Sequence, residues 1–135
     1  MKILSYKKYK YFQFFRNINF FVTGNGESRL SEDKLAYFDN LINVFFQDVI
    51  EARDFDVILK LLLNLMGYFL VTQPFYDGNT RTVIIFMKIF LERYHYLIDL
   101  DVKDFRSIIP IFYSEDELCD ENDVLKLKKK LVQYK

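Results

Sequence analysis

Gln73-Pro74-Phe75-Tyr76-Asp77-Gly78-Asn79-Thr80-Arg81 joins the two most apolar stretches of the chain. Upstream, apolar residues from Phe55 to Leu70 cover nearly the whole circumference of a helix, the pattern of a central, buried element. Downstream, Thr80 to Tyr94 reads as a second apolar helix, with Arg81, Lys88, Glu92 and Arg93 as its charged positions. The residues from Gln73 to Asn79 therefore read as a loop between two core helices.

Helical signals extend outward from this pair. Leu35, Phe38, Leu41, Ile42 and Phe45 recur at helical spacing behind Ser31-Glu32-Asp33, a cap followed by two acids. A break near Glu51 to Asp54 separates that helix from the next. Asp101 to Ile109 suggests a short helix stopped by Pro110. The C-terminal piece begins acidic (Glu115, Asp116, Glu117, Asp120, Glu121, Asp123) and ends basic (Lys126, Lys128, Lys129, Lys130). That order suits the helix macrodipole, so it reads as a solvated terminal helix. Near the N-terminus, Asn19 to Thr23 reads as a strand that breaks at Gly24-Asn25-Gly26 and returns over Glu27 to Leu30. The expected fold class is mainly α with one small β-hairpin.

Composition narrows the function classes. At 135 residues the chain is one domain, 1–135, and 51% hydrophobic against 28% charged residues excludes bulk disorder. Nineteen basic and nineteen acidic residues cancel, which argues against a nucleic-acid partner. One cysteine, Cys119, and one histidine, His95, cannot build a disulfide framework or a His/Cys-rich metal centre. Cys119 sits in an acidic stretch that should raise its pKa and leave it unreactive. Val57 to Val71 is interrupted by Lys60 and Asn64 and is shorter than the roughly 20 residues of a membrane span. No leader segment stands out, so the expectation is a cytoplasmic protein without a membrane partner.

The loop holds the one constellation with chemistry in it. A helix N-terminus behind a glycine presents backbone N–H groups to an anion, and the macrodipole adds positive potential there. Arg81 supplies a planar fork for phosphate oxygens, and Asp77 a carboxylate for a magnesium ion bridging to them. The plain alternative is a helix–loop–helix corner capped by Asn79 or Thr80.

The nine residues also resemble the signature of the Fic/Doc (Fido) family, His-Pro-Phe-x-(Asp/Glu)-Gly-Asn-Gly-Arg. Seven of the nine positions fit, counting the free one, and the likeness extends over roughly residues 19 to 109. The resemblance implies an all-α core preceded by a β-hairpin flap, and ATP with Mg²⁺ as cofactors. It also implies transfer of AMP from ATP to a hydroxyl of a target protein, or of a phosphoryl group in the Doc-like branch. Carried over by position, Asp77 would hold the metal, Gly78, Asn79 and Thr80 would cradle the phosphates, and Arg81 would clamp them. Phe21, Val22, Thr23 and Gly24 in the flap would hold the target by strand addition.

Three departures bear on activity. Gln73 stands where the family has its catalytic His, and an amide takes no proton near neutral pH. General base catalysis contributes about 10²–10⁴-fold, roughly 3–5 kcal/mol of barrier, so AMP transfer should be impaired. His95 lies about four turns further on, roughly 20 Å along a helix, too far to substitute. Ile84 replaces a second Arg that many adenylylating members carry, and Thr80 replaces a Gly, a benign change because Thr is a good helix cap. Ser28 to Glu32 partly matches an inhibitory motif of the family, but Asp33 follows, and a hairpin exit before a helix cap describes it more simply.

Three readings follow. The first is a Fic-fold protein that keeps the phosphate and Mg²⁺ loop without the base. The second is an active nucleotidyl- or phosphotransferase with altered chemistry. The third is a ligand-free interaction domain, self-associating through the aromatic surface that 15 Phe and 10 Tyr could supply.

Overall fold

The structure, a computed structural model, describes residues 32–109 and 118–134. Over these the chain is mainly helical, with one small two-stranded antiparallel sheet. In chain order the elements are α1 (Glu32–Glu51), α2 (Phe55–Thr72), α3 (Asn79–Glu92), β1 (Tyr96–Ile98), α4 (Val102–Ile108), α5 (Glu121–Lys128) and β2 (Leu131–Gln133). The fold class matches the sequence reading, but the sheet is not the expected hairpin. Asn19 to Leu30, with Phe21, Val22, Thr23 and Gly24, lies outside the described residues, as do Ser28 and Ser31.

The helices form where their apolar residues can be buried together. In α1, Phe38, Ile42, Phe45 and Val49 recur every three or four residues and are all buried. α2 has Leu59, Leu62, Leu63, Met66 and Phe69 fully enclosed. α3 contributes Val83, Ile84, Phe86, Met87, Phe90 and Leu91. α2 packs against both α1 and α3, which makes it the central helix. It is also the one described helix long and apolar enough to cross a membrane, and half of it is buried inside the protein. The burial is what its apolar circumference requires of a core helix.

Side chains define the ends of these helices. Asp54 begins α2 by accepting the Asp56 N–H at 3.0 Å. Gln73 ends it in the left-handed region, φ 47° and ψ 65°, its N–H donating to the Phe69 carbonyl at 2.8 Å. Asp101 starts α4 by accepting the Asp104 N–H, one residue later than the expected helix boundary.

The C-terminal piece departs from the solvated helix expected of it. Of its acidic start, Glu115, Asp116 and Glu117 lie outside the described residues, and Asp120 and Asp123 form a reciprocal capping box. The Asp120 carboxylate accepts the Asp123 N–H at 3.0 Å and that of Asp123 accepts the Asp120 N–H at 2.9 Å. Val124 and Leu127 are buried, however, and α5 packs on α2. The Cys119 N–H donates to Asn64 Oδ1 at 2.9 Å and the Cys119 thiol to the Lys60 carbonyl at 3.4 Å. After α5 the chain turns at Lys129 and Lys130 and pairs as β2 with β1, Leu97 opposite Val132. Charge order alone could not show this, because the buried pair is only two residues in eight.

Candidate functional site

The loop from Gln73 to Gly78 is locked by its own polar groups. The Asn79 side chain grips Phe75 twice: its Oδ1 accepts the Phe75 N–H at 3.1 Å, and its Nδ2 donates to the Phe75 carbonyl at 2.9 Å. Both residues are buried, Phe75 completely. The Phe75 ring stacks at a tilt against Phe69, 5.9 Å between centroids, and Phe69 in turn meets Phe38. Burying such a ring contributes about 1.5–3 kcal/mol, so the loop is anchored in the core of α1 and α2.

Gly78 carries the turn into α3. Its φ of 79° lies in the left-handed region, where a β-carbon would be costly, and its carbonyl accepts from both the Thr82 N–H at 2.9 Å and the Thr82 hydroxyl at 2.8 Å. Thr82 is fully buried and was not singled out by the sequence reading. The signal was present as a hydroxyl four residues after a helix-entry glycine, the spacing that returns a Thr hydroxyl to a carbonyl one turn back.

Position 78, not 79 or 80, is the N-cap of α3, and no side chain caps it there. This corrects the plain alternative in which Asn79 or Thr80 plays that role. Asp77 Oδ1 accepts the Gly78 N–H at 2.8 Å. The N–H groups of Asn79, Thr80 and Arg81 have no acceptor among the described residues. They are the orphan donors of a helix start.

Gln73 and every residue from Tyr76 to Arg81 line one open pocket of about 320 Å³. All the loop residues expected to act together, Gln73, Asp77, Gly78, Asn79, Thr80 and Arg81, are therefore brought together. Arg81, Asp77 and Gln73 are exposed there. Ile84, one turn beyond Arg81, is buried in the core, where a second guanidinium would have no water.

No family model, curated protein or solved structure matches the chain. Its site is therefore read from its own geometry. Among the described residues no group of three or more His, Cys, Asp or Glu is placed to hold a metal. Asp77 is a single carboxylate with one oxygen already hydrogen-bonded to the backbone. Such a donor set suits Mg²⁺, which takes one carboxylate with waters and phosphate oxygens, better than an ion caged by protein alone. His95, the only imidazole, is not among the residues lining this pocket. It lies past the end of α3 in a left-handed conformation, φ 65°, in a separate depression with Ile89, Glu92, Arg93 and Tyr134.

Proposed function

We propose that the loop between α2 and α3 binds the phosphates of a nucleotide, ATP with Mg²⁺, in a Fic-type helical protein impaired in AMP transfer to protein hydroxyls. The observation that carries this reading is the start of α3. Three successive N–H groups, of Asn79, Thr80 and Arg81, have no acceptor among the described residues at a helix start with no side-chain cap, and the Arg81 side chain lines the same pocket. Such a start attracts anions through its donors and its dipole. Asp77 would take one position on the metal, whose bound charge would help neutralise the phosphates. Gln73, which lines the same pocket, can hydrogen-bond a hydroxyl but cannot deprotonate it.

A second reading, a helix corner in a ligand-free interaction domain, is favoured by a different observation. Three of the polar groups of the loop are already satisfied internally, Asn79 by Phe75, Asp77 by Gly78 and Thr82 by Gly78. Isothermal titration of ATP with and without Mg²⁺, on wild type and Arg81→Ala, separates the two. Mg²⁺-dependent binding that Arg81→Ala abolishes supports the phosphate loop. No heat at millimolar ATP removes it and leaves the corner. Self-modification by Gln73→His, followed with labelled ATP, would then show that the base is the only missing part.

A further inference from the structure

The β1–β2 ribbon has an edge with no partner strand among the described residues. In an antiparallel pair, hydrogen-bonded and non-bonded residue pairs alternate. The Tyr134 N–H donates to the His95 carbonyl at 2.8 Å and the Asp99 N–H to the Lys130 carbonyl at 3.3 Å. With Leu97 opposite Val132, the bonded pairs are therefore 95 with 134, 97 with 132 and 99 with 130. Leu131 and Gln133 fall between them, so their N–H and C=O groups turn away from β1. None of these four groups has a partner among the described residues. The outer face of the ribbon is apolar as well: Leu97 is 55% exposed and its cross-strand neighbour Val132 61%.

The charge around this edge selects its occupant. β2 is entered through Lys126, Lys128, Lys129 and Lys130. Lys128 and Lys130 are paired with Asp56 at 3.0 Å and Asp104 at 3.6 Å, whereas Lys126 and Lys129 are exposed with no ion pair among the described residues. Lysines at an edge discourage pairing with a like strand. A second copy laid parallel would set Lys130 against Lys130. Laid antiparallel about Val132, it would pair Lys130 with Tyr134 and bring no carboxylate to the lysines, whereas in the parallel arrangement like charges directly opposite destabilise the pair. A strand bearing carboxylates meets the same lysines favourably.

We propose that the outer edge of β2 accepts an extended acidic segment of a partner protein by strand addition. Its backbone would bond Leu131 and Gln133, its carboxylates would meet Lys126 and Lys129, and its apolar residues would cover Leu97 and Val132. The probe is a fluorescein-labelled peptide alternating Glu and Val over seven residues, titrated with the full chain and followed by fluorescence anisotropy. Saturable binding is expected, weakening as salt rises. Gln133→Pro should weaken it about tenfold, because it removes an outward N–H and leaves the β1 ladder intact. Should that variant fail to fold, the same peptide N-methylated at alternate residues makes the test on the wild-type chain, with the same expected loss. Lys126→Glu with Lys129→Glu should also abolish binding, and a peptide with Lys in place of Glu should not bind. The proposal is overturned by no saturation at millimolar peptide, or by equal binding of the lysine or N-methylated peptide. A dimer in sedimentation velocity that Gln133→Pro dissociates would overturn it in favour of a second copy.

Discussion

Asn79 holds the backbone of Phe75 by both its N–H and its C=O, at 3.1 and 2.9 Å, with both residues out of water. One amide side chain thereby fixes the path of the loop relative to the first turn of α3. The start of that helix and the pocket beside it are held in register with the core through the Phe75 ring.

Asn79→Ala should therefore be costly although it removes little volume. It leaves a buried N–H and a buried C=O without partners, at about 1–3 kcal/mol each when fully enclosed. A loss of about 2–4 kcal/mol is expected in urea unfolding, with an unchanged m-value. A loss below 0.5 kcal/mol, on the order of a surface substitution, would show that the clamp is dispensable.

Gln73 occupies the left-handed region at φ 47°, which costs a residue with a β-carbon about 1–2 kcal/mol. Gln73→Gly should raise stability by about 1 kcal/mol. Gln73→His should leave it within about 0.5 kcal/mol, because His tolerates this region comparatively well. Paired unfolding curves check both, and they separate any gain in activity by the His variant from a change in folding.

Burial pushes the Cys119 thiol up to about 11, with Asp123 adding to the shift. The folded state thus holds its thiol proton to higher pH than the unfolded chain, whose pKa is near 9.0. Stability from this group is complete below pH 9 and is lost as pH rises towards 11. Cys119→Ala should flatten that part of the stability profile. A thiol reagent at pH 8 should label the native protein far more slowly than the urea-unfolded one.

Among the contacts that tie the C-terminal piece to α2, two differ in kind. Asn64→Ala removes the acceptor of the Cys119 N–H and should cost about 1–2 kcal/mol, with faster hydrogen exchange at Cys119. Lys128→Ala removes an ion pair whose side chains are 44% and 51% exposed and should cost less than about 0.5 kcal/mol. Equal costs would reverse the assigned order of these contacts.

The helices were legible because their sequence periods are local. Phe38, Ile42 and Phe45 announce one face of α1, and the all-round apolar run after Phe55 announces a core helix. The loop was legible as a place where Gln73, Asp77, Gly78 and Arg81 converge, since all lie within nine residues. Thr82 was missed because a hydroxyl one turn into a helix becomes informative only when the carbonyl it reaches is known. The sheet was missed because its strands are three residues each and separated by 32 residues, too short and too distant for any alternation to show.

What the sequence determined by itself is the helical class, the central pair of helices and the loop that joins them, because apolar spacing and turn residues act within a few positions. Only the tertiary structure decided that Gly78 caps α3 and that Asn79 spends its amide on Phe75. It alone decided that Ile84 lies in the core and that the lysine-rich segment runs on into a strand paired with β1, Val132 opposite Leu97. Each of these depends on which groups lose water together, and burial is a property of the packed chain, not of any one segment.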